Sequence, residues 1–341
     1  MIFCQNILVS GGAGFIGSNF ISLFLKENPL YNIVNLDKLT YAGNLENTKE
    51  VQGNERYHFI QGDICDAQLV RNIFEKHRID AVVHFAAESH VDNSIAAPDH
   101  FIKTNIEGTF VLLEAAKNYW MDKGHASKKG FEHARFHHIS TDEVYGSLGK
   151  RGLFTEHTPY APNSPYSASK AAADFLVRSY HHTYGLNTVT TNCSNNYGPK
   201  QHDEKLIPTI IRKALAGESI PIYGKGLNVR DWLYVRDHCE AIKLVFERGR
   251  SGETYLIGGH NEHTNLSVAH TICELLDEMN PKGTGNYKDQ ITFVKDRPGH
   301  DYRYAIDSDK IKKELDWQPK ESFSSGLQKT VAWYMDKYQK E

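Results

Sequence analysis

Asn6-Ile7-Leu8-Val9-Ser10-Gly11-Gly12-Ala13-Gly14-Phe15-Ile16-Gly17 decides the fold of this 341-residue chain. A short apolar run leads into a glycine-rich turn, and the turn into an amphipathic pattern that predicts a helix over Phe15–Lys26. A glycine fingerprint alone says little; placed between a strand and a helix, it acquires a physical meaning. Gly11, Gly14 and Gly17 permit a tight turn and close approach of the backbone to a pyrophosphate, whose charge the helix N-terminus holds. The next strand candidate, Asn32–Asp37, ends in a carboxylate twenty residues beyond Gly17. That carboxylate can bond ribose hydroxyls and repels a 2′-phosphate, so the implied cofactor is NAD rather than NADP. Two later loops extend the cradle. Gly62-Asp63-Ile64 brings a short polar group where an adenine would lie, and Phe85-Ala86-Ala87-Glu88-Ser89 lets a cofactor lie against the sheet edge.

Outward from this unit, β-branched runs alternate with helical patterns, which predicts a doubly wound α/β fold with a parallel sheet covered on both faces. Further strand candidates are Tyr57–Gln61, Ala81–Phe85, Phe136–Ser140 and Thr188–Asn192; helical stretches are Ala67–Lys76, Phe101–Tyr119 and Pro165–Tyr184. After Pro199 the elements shorten and glycine and proline punctuate them. The expected organisation is a cofactor-binding domain over 1–199 and a smaller α/β substrate domain over 200–341, with the chain able to cross back to the first sheet.

Composition narrows the function. Thirty-nine basic and 42 acidic residues give a formal charge of −3, so no broad cationic field draws nucleic acid or anionic lipid. No apolar run approaches the ~18–20 residues of a membrane helix, and the N-terminus lacks the basic start of a signal peptide. It reads as the opening of the first buried strand. The five cysteines are scattered without a C-x-x-C pair, which suits reduced thiols in a cytoplasmic core. His260-Asn261-Glu262-His263 has one-turn spacing, but Gly258-Gly259 before it favours a loop over a metal site.

Tyr166 and Lys170 share one helix face at i and i+4. A nearby ammonium favours phenolate and draws the tyrosine toward working pH as a general base. Tyr119 and Lys123 repeat the spacing, but Tyr119 ends a helix, whereas Tyr166 opens one after Asn163-Ser164-Pro165. Upstream, the strand end His138-Ile139-Ser140-Thr141 runs into Asp142-Glu143-Val144-Tyr145-Gly146. Both carboxylates reach one site only if the chain leaves the extended form near Thr141, and Gly146 is compatible with such a turn. One carboxyl can then serve as acid and the other as base. Alcohol oxidation needs neither, so the pair implies a second proton-transfer step such as loss of water; a solvated acidic loop is the bland alternative.

These motifs, with Asp37-Lys38-Leu39-Thr40-Tyr41-Ala42-Gly43-Asn44, Ala86-Ala87-Glu88-Ser89-His90-Val91-Asp92, Asn192-Cys193-Ser194-Asn195-Asn196-Tyr197-Gly198-Pro199, Arg230-Asp231-Trp232-Leu233-Tyr234-Val235 and Asp296-Arg297-Pro298-Gly299-His300-Asp301, resemble the extended short-chain dehydrogenases. Within them, the chain is most similar to the dTDP-glucose 4,6-dehydratase family. The stretch from Gly146 to Phe154 is shorter than in several members. The resemblance implies a homodimer formed through the helices near 101–119 and 165–184. It also implies a reaction on dTDP-glucose in which Tyr166, assisted by Lys170 and positioned by Thr141, takes the 4-hydroxyl proton. Glu143 takes the C5 proton and Asp142 protonates the leaving C6 oxygen. NAD would be held by Gly11, Gly14, Phe15, Ile16, Gly17, Asp37, Lys38, Leu39, Thr40, Asp63, Ile64, Phe85, Ala86, Ala87, Ser89, Thr104, Ser140, Tyr166, Lys170 and Asn196. The nucleotide sugar would be enclosed by Ser89, Thr141, Asn195, Lys205, Leu206, Pro221, Ile222, Tyr223, Arg230, Asn265, Arg297 and His300. A UDP-sugar 4-epimerase or a non-catalytic NAD-binding regulator are the competing readings; Asp142 and Glu143 argue against the first, and the intact Tyr166–Lys170 pair against the second.

Overall fold

The computed structural model describes residues 5–340; Met1–Cys4, expected to open the first strand, lie outside them. Strands β1 (Asn6–Ser10), β2 (Asn32–Asp37), β3 (Tyr57–Gln61), β4 (Ala81–His84), β5 (Arg135–Thr141) and β6 (Thr188–Cys193) follow the expected alternation with helices. Next come β7 (Asn195–Tyr197), β8 (Ile220–Tyr223), β9 (Val229–Tyr234), β10 (Thr254–Ile257), β11 (Glu262–Thr264) and β12 (Ile291–Val294). The main sheet has seven strands in the order β3-β2-β1-β4-β5-β6-β10, all parallel. The order reverses between β1 and β4, which opens a crevice at the carboxyl ends of these strands.

The helices are α1 (Phe15–Glu27), α2 (Ala67–His77), α3 (Val91–Ala96), α4 (Pro98–Phe101), α5 (Thr109–Trp120), α6 (Pro165–Tyr184), α7 (Leu206–Leu215), α8 (Val235–Arg248), α9 (Asn265–Met279), α10 (Asp309–Leu315) and α11 (Phe323–Lys340). One sheet face is sealed by α2, α5 and α6 through Val70, Phe74, Leu112, Trp120 and Val177. The other is sealed by α1 and α8 through Phe20, Phe24, Ile242 and Phe246. With both faces covered, the central strands are buried on both sides rather than in alternation, as in β4, β5 and β6, where every residue is buried. The region after residue 199 returns to this sheet: α8 packs on it, and β10 pairs with β6 in register Thr254–Thr190 to Ile257–Cys193. The rest of that region builds its own core from Ile207, Ile211, Ile220, Trp232, Ile272, Leu327 and Tyr334.

Two expectations need correction. The helix read over Phe101–Tyr119 is interrupted, because residues Ile102–Gly108 form a π-type turn between α4 and α5. Thr109 Oγ1 donates to the Asn105 carbonyl at 2.6 Å, while the Asn105 amide bonds both the N–H and the carbonyl of Glu88 and Ser169 Oγ. Tertiary partners of Asn105 thus hold a widened turn that apolar periodicity does not register. The loop expected at His260–His263 is in part β11: Glu262 binds Arg303, and His263 stacks on Phe323 at 4.2 Å between centroids. Cys193, Cys239 and Cys273 are buried free thiols and Cys65 is half-buried; among the described residues no helix is long and apolar enough to cross a membrane.

Trp120 is 1 % exposed and its Nε1 donates to the Ile79 carbonyl at 2.7 Å. Trp120→Phe leaves that buried oxygen without its donor, and urea unfolding is expected to report a loss of about 1–3 kcal/mol.

Candidate active site

The glycine turn closes on the sheet as its composition demands. Gly11 has φ +73°, and a Cβ there would lie 2.6 Å from Ala86 N; a Cβ on Gly17 would lie 2.4 Å from the Gly11 carbonyl oxygen. Only bare backbone fits, so strand, turn and helix approach closely enough to leave room for a ligand above them. Helix α1 starts at Gly14 with no side-chain cap. Asp37, at the end of β2, accepts from Ala13 N (2.9 Å) and Leu39 N (2.8 Å); Leu39 itself takes φ +56°. Lys38 bridges to Asp63 at 2.8 Å, joining the ends of β2 and β3.

One cleft of about 310 Å³ runs from the glycine turn to the end of β5, with Leu39 of the expected cofactor residues off its wall. Its walls include Gly11, Gly14, Phe15, Ile16, Gly17, Asp37, Lys38, Thr40, Asp63, Ile64, Phe85, Ala86, Ala87, Ser89, Thr104, Ser140 and Asn196, together with Thr141, Asp142, Glu143, Tyr166, Lys170, Asn195 and Lys205. The glycine cradle, the uncapped helix start and the Asp37 carboxylate fit a dinucleotide. Lys205 crosses from the second region to donate to the Ser89 carbonyl at 2.9 Å.

At Thr141 the strand ends and Asp142–Tyr145 form a 3₁₀ turn, closed by Gly146 at φ +81°. A Cβ on Gly146 would meet the Ala161 carbonyl oxygen at 2.3 Å. This departure from the extended form brings both carboxyls into the cleft. Burial drives Asp142 well above the ordinary carboxylate range, reinforced by Glu143 and Asp231. Burial also raises Glu143, but Arg297, Arg230 and Lys205 oppose the shift. Two adjacent carboxyls thus sit in different fields.

Tyr166 opens α6 behind a capping box made by Ser164 and Ser167. The expectation that Lys170 draws its phenol down is corrected: burial and the Glu143 carboxylate push Tyr166 well above its usual range, and the Thr141 hydroxyl is the group that counteracts them. Lys170 spends its ammonium elsewhere, donating to the Ile139 carbonyl at 2.8 Å. Tyr119, the repeat of the same spacing, packs edge-on against Phe74 and Phe131 instead.

The residues expected to enclose the nucleotide divide. Tyr223 donates to Asp92 at 3.3 Å and meets the His300 ring edge-on; Arg297 Nη1 lies 3.8 Å from Asp92. Together they form one rim, where Arg297 Nε is buried without a hydrogen-bond partner. Arg230 is neither free nor paired with Asp231. It donates to the carbonyls of Val229 and Asp301 and lies 4.1 Å over the Tyr304 ring. Leu206 and Asn265 begin α7 and α9. Ile222 is corrected: β8 turns Ile220 and Ile222 into the core and leaves Pro221 and Tyr223 outward, so the Ile222 side chain is buried among apolar neighbours. Sequence reading passed over His138 and Asp174, although Asp174 stands one turn beyond Lys170.

Fold and cleft define the class, an extended short-chain dehydrogenase architecture. The chain matches the family described as GDP-mannose 4,6 dehydratase over residues 8–330 and belongs to it. It is 58% identical over 340 residues to the dTDP-glucose 4,6-dehydratase of Shigella flexneri, covering 97% of this chain and 93% of that one. The Neisseria gonorrhoeae protein of the same name is 57% identical over 336 residues, covering 97% and 96%. Among solved structures, the Bacillus anthracis dTDP-glucose 4,6-dehydratase in complex with NAD superposes with a TM-score of 0.86 at 48% identity, over 98% of both chains. A Thermotoga maritima UDP-glucose 4-epimerase with UDP-glucose follows at 30% identity and a TM-score of 0.84, over 98% and 100%.

Gly11→Val adds a side chain at positive φ and against Ala86. Purified variant is expected to lack bound dinucleotide, measured by absorbance and by titration with NAD, while its circular dichroism stays that of the parent.

Proposed function

We propose that the chain is an NAD-dependent dTDP-glucose 4,6-dehydratase that converts dTDP-glucose to dTDP-4-keto-6-deoxyglucose and water, in the supply of deoxysugars such as dTDP-rhamnose. The observation that carries the reading is the Asp142–Glu143 pair, the first buried and the second partly so, beside Tyr166 in a dinucleotide cleft; an epimerase has no work for two proton carriers. NAD bound in the cleft supplies the hydride acceptor for C4 and later the donor for C6. Tyr166 takes the 4-hydroxyl proton as the phenolate, the form that the Thr141 hydroxyl and the Lys170 ammonium one turn along α6 favour against burial. The ketone so formed acidifies C5–H, and Glu143, whose shift three cations oppose, removes that proton. Asp142 is kept protonated by burial and by Glu143, and it delivers its proton to the C6 oxygen, which leaves as water. Glu143, its proton exchanged with solvent, then protonates C5.

The rim of Lys205, Tyr223, Arg297 and His300 suits the diphosphate, since guanidinium and ammonium groups bond phosphate oxygens; Asn195, with its Oδ1 buried and unpartnered, suits a sugar hydroxyl. We place the enzyme in the cytoplasm, where buried thiols stay reduced. We read it as a homodimer through the outer faces of α5 and α6, supported by Phe110 and Phe175, 45% and 57% exposed.

Incubation with dTDP-glucose in heavy water is expected to give a product lighter by one water and carrying deuterium at C5. An unchanged mass with inverted C4 makes the protein an epimerase instead. Glu143→Gln is expected to keep NAD and to lose ~10²–10⁴ in kcat together with C5 deuteration. The elimination step should also slow as pH rises through the elevated pKa of Asp142, because the acid form is consumed; single-turnover water loss against pH checks the sign.

A further inference from the structure

Below Lys170 lies a buried polar cluster that the proposed chemistry does not use. Lys170 and Asp174 stand one turn apart on α6, and His138 of β5 lies between their charged ends, wholly buried. Lys170 Nζ is 3.4 Å from His138 Nε2, and that same nitrogen is 3.1 Å from Asp174 Oδ1. The other carboxylate oxygen, Asp174 Oδ2, accepts from the Tyr160 hydroxyl at 2.8 Å and from Asn192 Nδ2 at 3.0 Å. His138 Nδ1 is buried with no partner. A proton there would be an orphaned buried donor, whereas on Nε2 it faces the Asp174 carboxylate; in that Nε2–H tautomer the nitrogen has no lone pair for Lys170, which is held by the Ile139 carbonyl and feels Asp174 electrostatically across the ring.

The neighbourhood shows why the lysine needs this support. Lys170 faces Asp174 on its own helix, His84 on β4, His138 on β5 and Cys193 on β6, and it lines the same cleft as Tyr166, Asp142 and Glu143. Burial pulls its ammonium down to about 8, and Asp174 is the foremost group acting against that. Asp174 stays below the ordinary carboxylate range despite burial, because His138 and Lys170 face it. The imidazole is pushed down to about 4 and is therefore neutral at physiological pH, as is His84, which burial lowers further.

We propose that Asp174, acting through neutral His138, is the positioning residue that keeps Lys170 charged and in place beside Tyr166. The proposal rests on the reading that Tyr166, with the Lys170 ammonium beside it, removes the 4-hydroxyl proton while NAD would accept the hydride. An ion pair spanned by a ring in a dry interior has two consequences: the carboxylate stabilises the ammonium without touching it, and the imidazole fixes the distance between them. Tyr160 and Asn192 act one step further out, by keeping Asp174 ionised and oriented.

The test reads the first step alone, by nicotinamide reduction on rapid mixing with dTDP-glucose across pH, which Asp142 does not enter. In Asp174→Asn the alkaline limb is expected to move down by at least ~1 pH unit, with NAD and nucleotide-sugar affinities unchanged and the rate largely recovered at low pH. Asp174→Glu should return the limb toward the parent position. Where Asp174→Asn gives no folded protein, His138→Gln carries the test: it breaks the link while leaving the carboxylate, and its limb is expected to shift in the same direction. A folded variant whose profile overlies the parent, with only its melting temperature lowered, overturns the proposal and leaves a structural ion pair. A parent protein that binds NAD but reduces none with dTDP-glucose overturns the functional reading itself, a different and separable result.

Discussion

A single backbone reversal organises the active end of this molecule. At Thr141 the chain stops being strand, makes one 3₁₀ turn, and is closed by Gly146 in a conformation that side-chain-bearing residues avoid. Without the reversal, pleating would send Asp142 and Glu143 to opposite faces of the sheet. With it, both enter one cleft, next to Tyr166 at the start of α6 and above the glycine turn of β1. The carboxyls, the phenol and the cradle are far apart in sequence, and this turn converts them into one site.

Burial then does most of the electrostatic work, and acts on each group according to its charge. Carboxyls and the phenol rise while the ammonium falls, since water is withdrawn from whichever form is charged. What separates one carboxyl from its neighbour is the company each keeps: Glu143 faces Arg297, Arg230 and Lys205, whereas the main additional influences on Asp142 are the acidic Glu143 and Asp231. Arg230 contributes this field while its hydrogen bonds go to backbone carbonyls. It therefore acts as a fixed charge, held in place by β9 and by the loop at Asp301.

The second region is bound to the first by more than a linker. Strand β10 completes the edge of the main sheet, and α8 seals one of its faces, so two elements of the second region are built into the cofactor-side core. Lys205 reaching the Ser89 carbonyl repeats that connection at the cleft itself. A small displacement of either region would alter the distance between the diphosphate rim and the carboxyl pair, which gives the shared sheet a functional as well as a structural purpose.

Much of this was legible from residues 6–17, from Asp37 and from the i, i+4 pair Tyr166–Lys170, because these signals are local. A glycine requirement, a strand end and a helix face are all set by neighbours within a few positions. The carboxyl pair was legible as a possibility, with the turn that unites its members inferred from Gly146. Three matters lay beyond local reading. The π-type turn at Ile102–Gly108 depends on Asn105 meeting Glu88 and Ser169, partners that only the assembled fold supplies. The inward direction of Ile222 depends on which face of β8 finds a core. The acidity of Tyr166 depends on how deeply it is buried and on which charges surround it, and Lys170, its predicted partner by spacing, gives its hydrogen bond to the Ile139 carbonyl. The sequence by itself determined the order of elements and the chemical types available, since both follow from covalent neighbours. Only the tertiary structure decided which of those groups share a dry cavity, and hence how strongly each holds its proton, because burial and Coulomb interactions depend on distance in space rather than along the chain.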